Sequence, residues 1–273
     1  MALSRPVAMT IAGVDSSGGA GVVADLKTFE ALGVWGTVAV TAVTAQNSQG
    51  VTAIHLVPPD MIAAQIATVA GDVTVGAAKT GMLGSAAAVE AVAAAVEGAG
   101  ISRLVVDPVL VSKHDDRLLA TDAVAVLRRL LLPRATVLTP NLPEASALLG
   151  RPVERRADMP EAAEALRALG ADTVLLKGGH LPGPEPSDDL LCGPQGSEWL
   201  PGPRLPARHT HGTGCVLSAA ITAYLTGGAD PAAACRRGKA FVTAAIRAGV
   251  PLGRGIGPVD PGRAVTARGV AWI

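Results

Sequence analysis

The segment His209-Thr210-His211-Gly212-Thr213-Gly214-Cys215 sets a thiol where a glycine-rich turn opens the apolar run from Val216 to Ile221. The first N–H groups of a helix have no intrahelical partner, and with the helix dipole they favour negative charge. Phosphate is the natural guest of such a turn, and Gly212, Thr213 and Gly214 are the candidates to hold it. The two glycines let the backbone approach a ligand closely. Cys215 falls in the first turn, where a helix start lowers a thiol's pKa and makes it a base or nucleophile near neutral pH. A small buried cysteine opening a packed helix fits the same pattern.

Other residues carry complementary chemistry. Asn141-Leu142-Pro143-Glu144 offers an amide and a carboxylate across one helical turn, a spacing suited to a magnesium-bound phosphate held through water. It equally describes a capped helix start, with Asn141 as cap and Glu144 completing the box. Lys177, followed by Gly178-Gly179, can place an ammonium over phosphates or merely end a strand. Asp107 either joins the magnesium environment or begins the turn at Pro108. The pair His209 and His211 lacks a third metal ligand and reads as loop structure and substrate contact. Gly18-Gly19-Ala20-Gly21 fits neither GxGxxG nor GxxxxGK[ST], which disfavours a nicotinamide dehydrogenase.

These residues need a scaffold, and the pattern supplies one. Short apolar runs alternate with helical patterns, the signature of an α/β fold with a largely parallel buried sheet. Strands are expected at Val7 to Ala12, Thr37 to Val43, Val75 to Lys79, Leu104 to Val106, Thr136 to Leu138 and Thr173 to Leu176. Helices are expected at Ala20 to Leu32, Asp60 to Ala70, Ser85 to Ala95, Asp122 to Leu132, Pro143 to Leu149, Glu161 to Leu169, Cys215 to Leu225 and Pro231 to Ala248. The Pro- and Gly-rich stretch from Pro182 to Pro206, with pieces at Asp189 to Cys192 and Glu198 to Leu200, predicts an antiparallel edge. Ligands of open α/β sheets bind outside the carboxyl ends of the strands. Asp15 to Gly21, Gln46-Asn47, Lys79 to Met82, Asp107-Pro108, Asn141 with Glu144, and Lys177 to Gly179 all follow strands there.

The 273 residues suit one domain, residues 1–273, and no linker divides them. A formal net charge of zero with scattered basic residues argues against nucleic acid and anionic membranes. Three widely spaced cysteines suggest neither a disulfide framework nor structural zinc and fit a reducing cytoplasm. The N-terminus lacks a signal-peptide pattern. Two uncharged windows, Ala31 to Ile54 and Thr210 to Ala229, are interrupted by polar residues and glycine, so no transmembrane helix is expected. The constellation as a whole points to phosphoryl transfer from ATP to a small molecule.

Taken in order, AGVDSSGGAGVVADLKTFEALGV from Ala12, TAVTAQNSQGV from Thr41, KTGML from Lys79, VVDPVLVSK from Val105, LTPNLPEAS from Leu138, LLKGGH from Leu175, HTHGTGC from His209 and GIGPV from Gly255 resemble one family. It is that of the hydroxymethylpyrimidine/phosphomethylpyrimidine kinases of thiamine biosynthesis, in the ribokinase superfamily, and the likeness runs from about Val7 to Val259. The resemblance implies a ribokinase-like three-layer α/β/α sandwich, a homodimer, and ATP and Mg2+ as cofactors. It implies phosphorylation of 4-amino-5-hydroxymethyl-2-methylpyrimidine to its monophosphate and then to its diphosphate. It places Gly13, Asp15, Ala20, Gln46, Met82 and Val109 around the pyrimidine, with Cys215 facing the hydroxymethyl group. Asn141, Glu144, Lys177, Thr210, Gly212 and Gly214 would serve ATP, and Asp107 with Glu144 the magnesium, through water. Two departures stand out: Asp115 replaces a usual glycine in a flap-like segment around Lys113 to Asp116, and Val14 replaces a small polar residue. Pyridoxal kinases share part of the pattern, and a non-catalytic pyrimidine-binding regulator is a more remote alternative.

Overall fold

The computed structural model describes residues 5–110, 121–181, 183 and 186–266. Among them a nine-stranded sheet runs in the order β3-β2-β1-β4-β5-β6-β7-β8-β9. The strands are β1 Val7–Asp15, β2 Trp35–Asn47, β3 Gly50–Leu56, β4 Ala77–Thr80, β5 Leu104–Val106, β6 Val137–Leu138, β7 Thr173–Leu176, β8 Asp189–Gly193 and β9 Gly196–Leu200. The six central strands pair in parallel, whereas β3 on one side and β8 with β9 on the other are antiparallel. The expected antiparallel edge is therefore joined by a second one. β2 runs past Val43 to Asn47 and turns directly into β3, a hairpin that a search for buried apolar runs passes over because most of β3 is exposed.

Helices cover both faces. On one lie α2 Pro59–Ala70, α3 Ala86–Gly98, α4 Thr121–Leu130, α5 Leu142–Leu149 and α6 Met159–Ala168. On the other lie α1 Gly21–Ala31, α7 Thr213–Thr226, α8 Pro231–Arg247 and α9 Pro261–Thr266. Side chains of a strand alternate between faces, and the core divides accordingly. Met9, Ile11, Leu104, Val106 and Leu138 pack with the first group, and Ala8, Val105, Val137 and Leu175 with the second. Helix α7 lies against the middle of the sheet, and its buried residues run unbroken from Val216 to Ala223. That packing fixes the helix start over the carboxyl ends of the central strands. No helix among the described residues is long and apolar enough to cross a membrane.

Candidate active site

Gly212 caps α7 with a left-handed φ of 79°. A Cβ there would collide with the carbonyl oxygen of Gly19, so this glycine serves the docking of two loops. The expectation that it clears space for a ligand is corrected in that respect. Gly214 is different: a Cβ there would stand 3.7 Å from both Asp107 Oδ2 and Lys177 Nζ. Thr213 turns back on Thr210, donating from its backbone N–H at 3.3 Å and its hydroxyl at 2.7 Å to the Thr210 carbonyl. The N–H groups of Gly214 and Cys215 then face out of the helix start.

One side of Cys215 is built from the loops after β1, β2 and β4. Gly21, the first residue of α1, donates its N–H to Cys215 Sγ at 3.4 Å, so two helix starts converge on the sulfur. Gly13 lies against Met82, whose Sδ would be 3.3 Å from an added Cβ. Thr41 Oγ1 donates to the Met82 carbonyl at 2.5 Å and fixes that turn. Asp15 Oδ2 lies 2.7 Å from His211 Nε2, and its Oδ1 accepts from the N–H and hydroxyl of Ser17 at 2.8 Å each. Burial pushes the Asp15 carboxyl up, but the bonds from His211 and Ser17 outweigh it and hold it below its ordinary value. Gln46 Nε2 lies 3.4 Å from the same histidine nitrogen, and Thr44 donates to Gln46 Oε1 at 3.1 Å. Ala20 precedes α1 in this wall.

The other side is ionic. Lys177 Nζ lies 3.2 Å from Asp107 Oδ1 and 3.7 Å from Glu144 Oε2. Burial opposes the Lys177 charge, and the two carboxylates overcome it, raising its pKa. Asp107 also accepts from Thr139 at 3.2 Å and from Ser218 of α7 at 3.2 Å. Asn141 and Glu144 form the reciprocal capping box, each side chain accepting the other's N–H at 2.8 Å. The capping reading of NxxE thus holds, and the ionic contact with Lys177 adds to it. Burial, first of all, pushes Glu144 above the usual carboxylate range. Val109, two residues beyond Asp107, has a φ of 40°, the single positive value at a non-glycine position among the described residues. For a β-branched side chain this is a strained backbone, of the kind stored at functional sites.

Two expectations change, those for Cys215 and Lys79. The helix start was expected to lower the Cys215 thiol; burial instead pushes it up to about 11, with Lys79 pulling it down and Asp25 and Asp107 pushing further up. The two histidines hold loops, as their reading as loop structure expects: His211 is committed to Asp15, and His209 Nδ1 accepts from the Gly257 N–H at 3.0 Å. Lys79, expected on a rim loop, has no solvent exposure and pairs with Asp25 at 3.0 Å. Asp25 had no expected role, although its place four residues after Gly21 on an otherwise apolar helix face marks it as unusual. The segment Lys113 to Asp116 lies outside the described residues.

No group of three or more His, Cys, Asp or Glu residues is arranged for a metal ion among the described residues. Asp107 and Glu144 are already engaged by Lys177, Thr139, Ser218 and Asn141. They fit magnesium only through its waters, which that ion readily keeps.

The family described as phosphomethylpyrimidine kinase matches residues 15–260. The hydroxymethylpyrimidine/phosphomethylpyrimidine kinase of Streptomyces coelicolor is 50% identical over 263 residues, 96% of this chain and 97% of that protein. Among solved structures, an ADP complex of Bacillus subtilis pyridoxal kinase superposes with a TM-score of 0.88 at 40% identity, covering 95% of this chain and 98% of that one. The phosphomethylpyrimidine kinase from Clostridium difficile gives 0.79 at 38% identity, covering 89% and 100%.

Proposed function

Because the chain belongs to the phosphomethylpyrimidine kinase family, we propose that it moves phosphoryl groups from ATP to 4-amino-5-hydroxymethyl-2-methylpyrimidine and then to the resulting monophosphate. One observation carries the reading: Cys215 stands between the wall built from the loops after β1, β2 and β4, reached through Gly21, and the Lys177 cluster, reached through Gly214. A substrate alcohol placed against the sulfur has the phosphoryl-holding N–H groups of the same helix turn beside it.

In this reading Gly13, Ala20 and Met82 enclose the pyrimidine, and Gln46 pairs with its amino and ring nitrogens. Asp15 acts through His211, keeping the loop before Gly212 in register. Asn141, Glu144, Lys177 and Thr210 serve the ATP end, and the cavity of about 360 Å³ beside His209, lined also by Arg208, Ile246 and Arg247, takes the nucleoside. Asp107 and Glu144 would hold magnesium through water, and the ion would supply charge neutralisation for the polyphosphate oxygens. Lys177 then needs only to follow the charge as it develops on the transferring group. In the first step Cys215, whose thiol burial pushes up to about 11, gives its own proton to solvent; the alcohol oxygen then bonds to phosphorus, the bond to ADP breaks, and the alcohol proton passes to the Cys215 thiolate. The second acceptor, a phosphate monoester, is already ionised near neutral pH and needs no base.

Two copies of the chain complete the proposal. The edge strand β3 leaves one row of backbone groups unpaired, and Ile54 and Leu56 on it, with Met61 nearby on α2, are exposed apolar residues. Paired copies would cover them. ATP as substrate and three free cysteines suit a cytoplasmic setting.

The test is the mass of the products after incubation with ATP, magnesium and the pyrimidine alcohol. Mono- and diphosphate are expected in succession; absence of both overturns the reading. Pyridoxal phosphorylation is the second reading, favoured by the closeness of the Bacillus subtilis fold. Turnover with pyridoxal exceeding that with the pyrimidine would replace the first. Magnesium-dependent ADP release excludes a non-catalytic regulator.

A further inference from the structure

Behind the Cys215 sulfur lies a charged assembly that the phosphoryl-transfer steps above do not use. Lys79, on the buried strand β4, and Asp25, on α1, both have side chains with no solvent exposure, and Nζ lies 3.0 Å from Oδ1. Thr10 of β1 donates to the other Asp25 oxygen at 2.6 Å. Burying such a pair costs several kcal/mol per ion, and apolar residues of the same volume commonly stabilise a fold as well or better. Packing alone therefore gives no reason for a lysine here.

Position gives one. Asp25 follows Gly21 by four residues, so the two stand one above the other on a face of α1, about 6 Å apart along its axis. Gly21 holds Cys215 Sγ, and Asp25 holds Lys79 Nζ. The ammonium and the sulfur thus occupy successive turns of one helix face. The groups that face the sulfur are Lys79 from β4, Asp25 and the Gly21 N–H from α1, and Asp107 from the loop after β5. Lys79 is the cation among them, and burial, Asp25 and Asp107 all act against ionisation of the thiol.

We propose that Lys79 is a positioning residue for the transfer: its buried ammonium, clamped by Asp25 and Thr10, supplies the counter-charge against which Cys215 ionises before it accepts the alcohol proton. The cycle balances. The thiol gives its proton to solvent, the thiolate takes the alcohol proton as the new O–P bond forms and the bond to ADP breaks, and the regained proton again leaves to solvent. This deepens the base role given to Cys215 above and rests on it.

The experiment measures the rate of Cys215 alkylation by iodoacetamide against pH in the full chain, with peptide-resolved mass spectrometry separating Cys215 from Cys192 and Cys235. Lys79→Met is expected to move the midpoint up by about one pH unit, a roughly tenfold loss of thiolate at fixed pH. Asp25→Asn is expected to move it down. A purely structural role for the pair would lower the melting temperature in both variants without opposite shifts. Should Lys79→Met fail to fold, the double variant Lys79→Met/Asp25→Asn removes both charges together, and an upward shift is still expected because the lysine has the larger influence. Unchanged midpoints, or shifts in one direction for both single variants, overturn the proposal. Since neither pyrimidine nor ATP enters this measurement, its failure is distinct from failure of the substrate assignment.

Discussion

On the acceptor side of Cys215 the fit is between backbone and small or apolar groups, with Gly13 against Met82, Gly212 against the Gly19 carbonyl, and Gly19 so close to His211 that a Cβ would come within 2.6 Å of its ring. On the nucleotide side three charged groups, Lys177, Asp107 and Glu144, lie within 3.7 Å of one another through the lysine. The first region recognises by shape, and its errors are steric. The second works by charge, and an error there leaves buried carboxylates without their cation. In the proposed reading both phosphorylations use the charged region, whereas they differ in what the acceptor region must do.

Substitutions can break that contrast. Lys177→Met should lower kcat for both phosphorylations by about 10²- to 10³-fold, the scale of losing one transition-state donor. Steady-state rates with the alcohol and with the monophosphate check it, and a loss confined to one step would contradict the division. Cys215→Ala should slow the first phosphorylation by on the order of 100-fold and leave the second within a few-fold. Equal losses in separate assays would remove the base assignment. Gly212→Ala forces a side chain into a left-handed backbone and onto the Gly19 carbonyl. We expect a loss of about 1–3 kcal/mol in thermal unfolding together with weaker turnover in both steps.

The smallest effect concerns acid stability. The Asp15 carboxyl is held below its ordinary value of 3.8 by His211 and Ser17. A depressed carboxylate contributes stability that is present above the unfolded pKa and lost as the pH falls through the lower folded value. Asp15→Asn should therefore be less stable than the parent at neutral pH, and the gap should close below about pH 4 in chemical denaturation. A gap that persists to lower pH would assign the effect to packing instead.

Much of the scaffold was legible because buried parallel strands are short apolar runs between helices, and six of them announce themselves that way. β3 did not, since a strand exposed on most of its length carries no apolar run. The NxxE segment carried two meanings in sequence, and the structure realises the capping box while bringing Lys177 to it from another strand. Lys79 misled: a lysine at a strand end reads as a rim residue until its partner Asp25, 54 residues away, is seen beneath the sheet end.

What the sequence determined by itself is the order of elements and the places where glycine, amide, carboxylate and ammonium follow a strand, because local periodicity and turn chemistry are short-range properties. The thiol was beyond its reach. A helix start favours thiolate, but ionisation answers to every charge and every layer of excluded water around the sulfur, and these come from β4, α1 and the loop after β5. Only the tertiary structure decided that Cys215 is pushed up to about 11 and that Lys79 opposes the push.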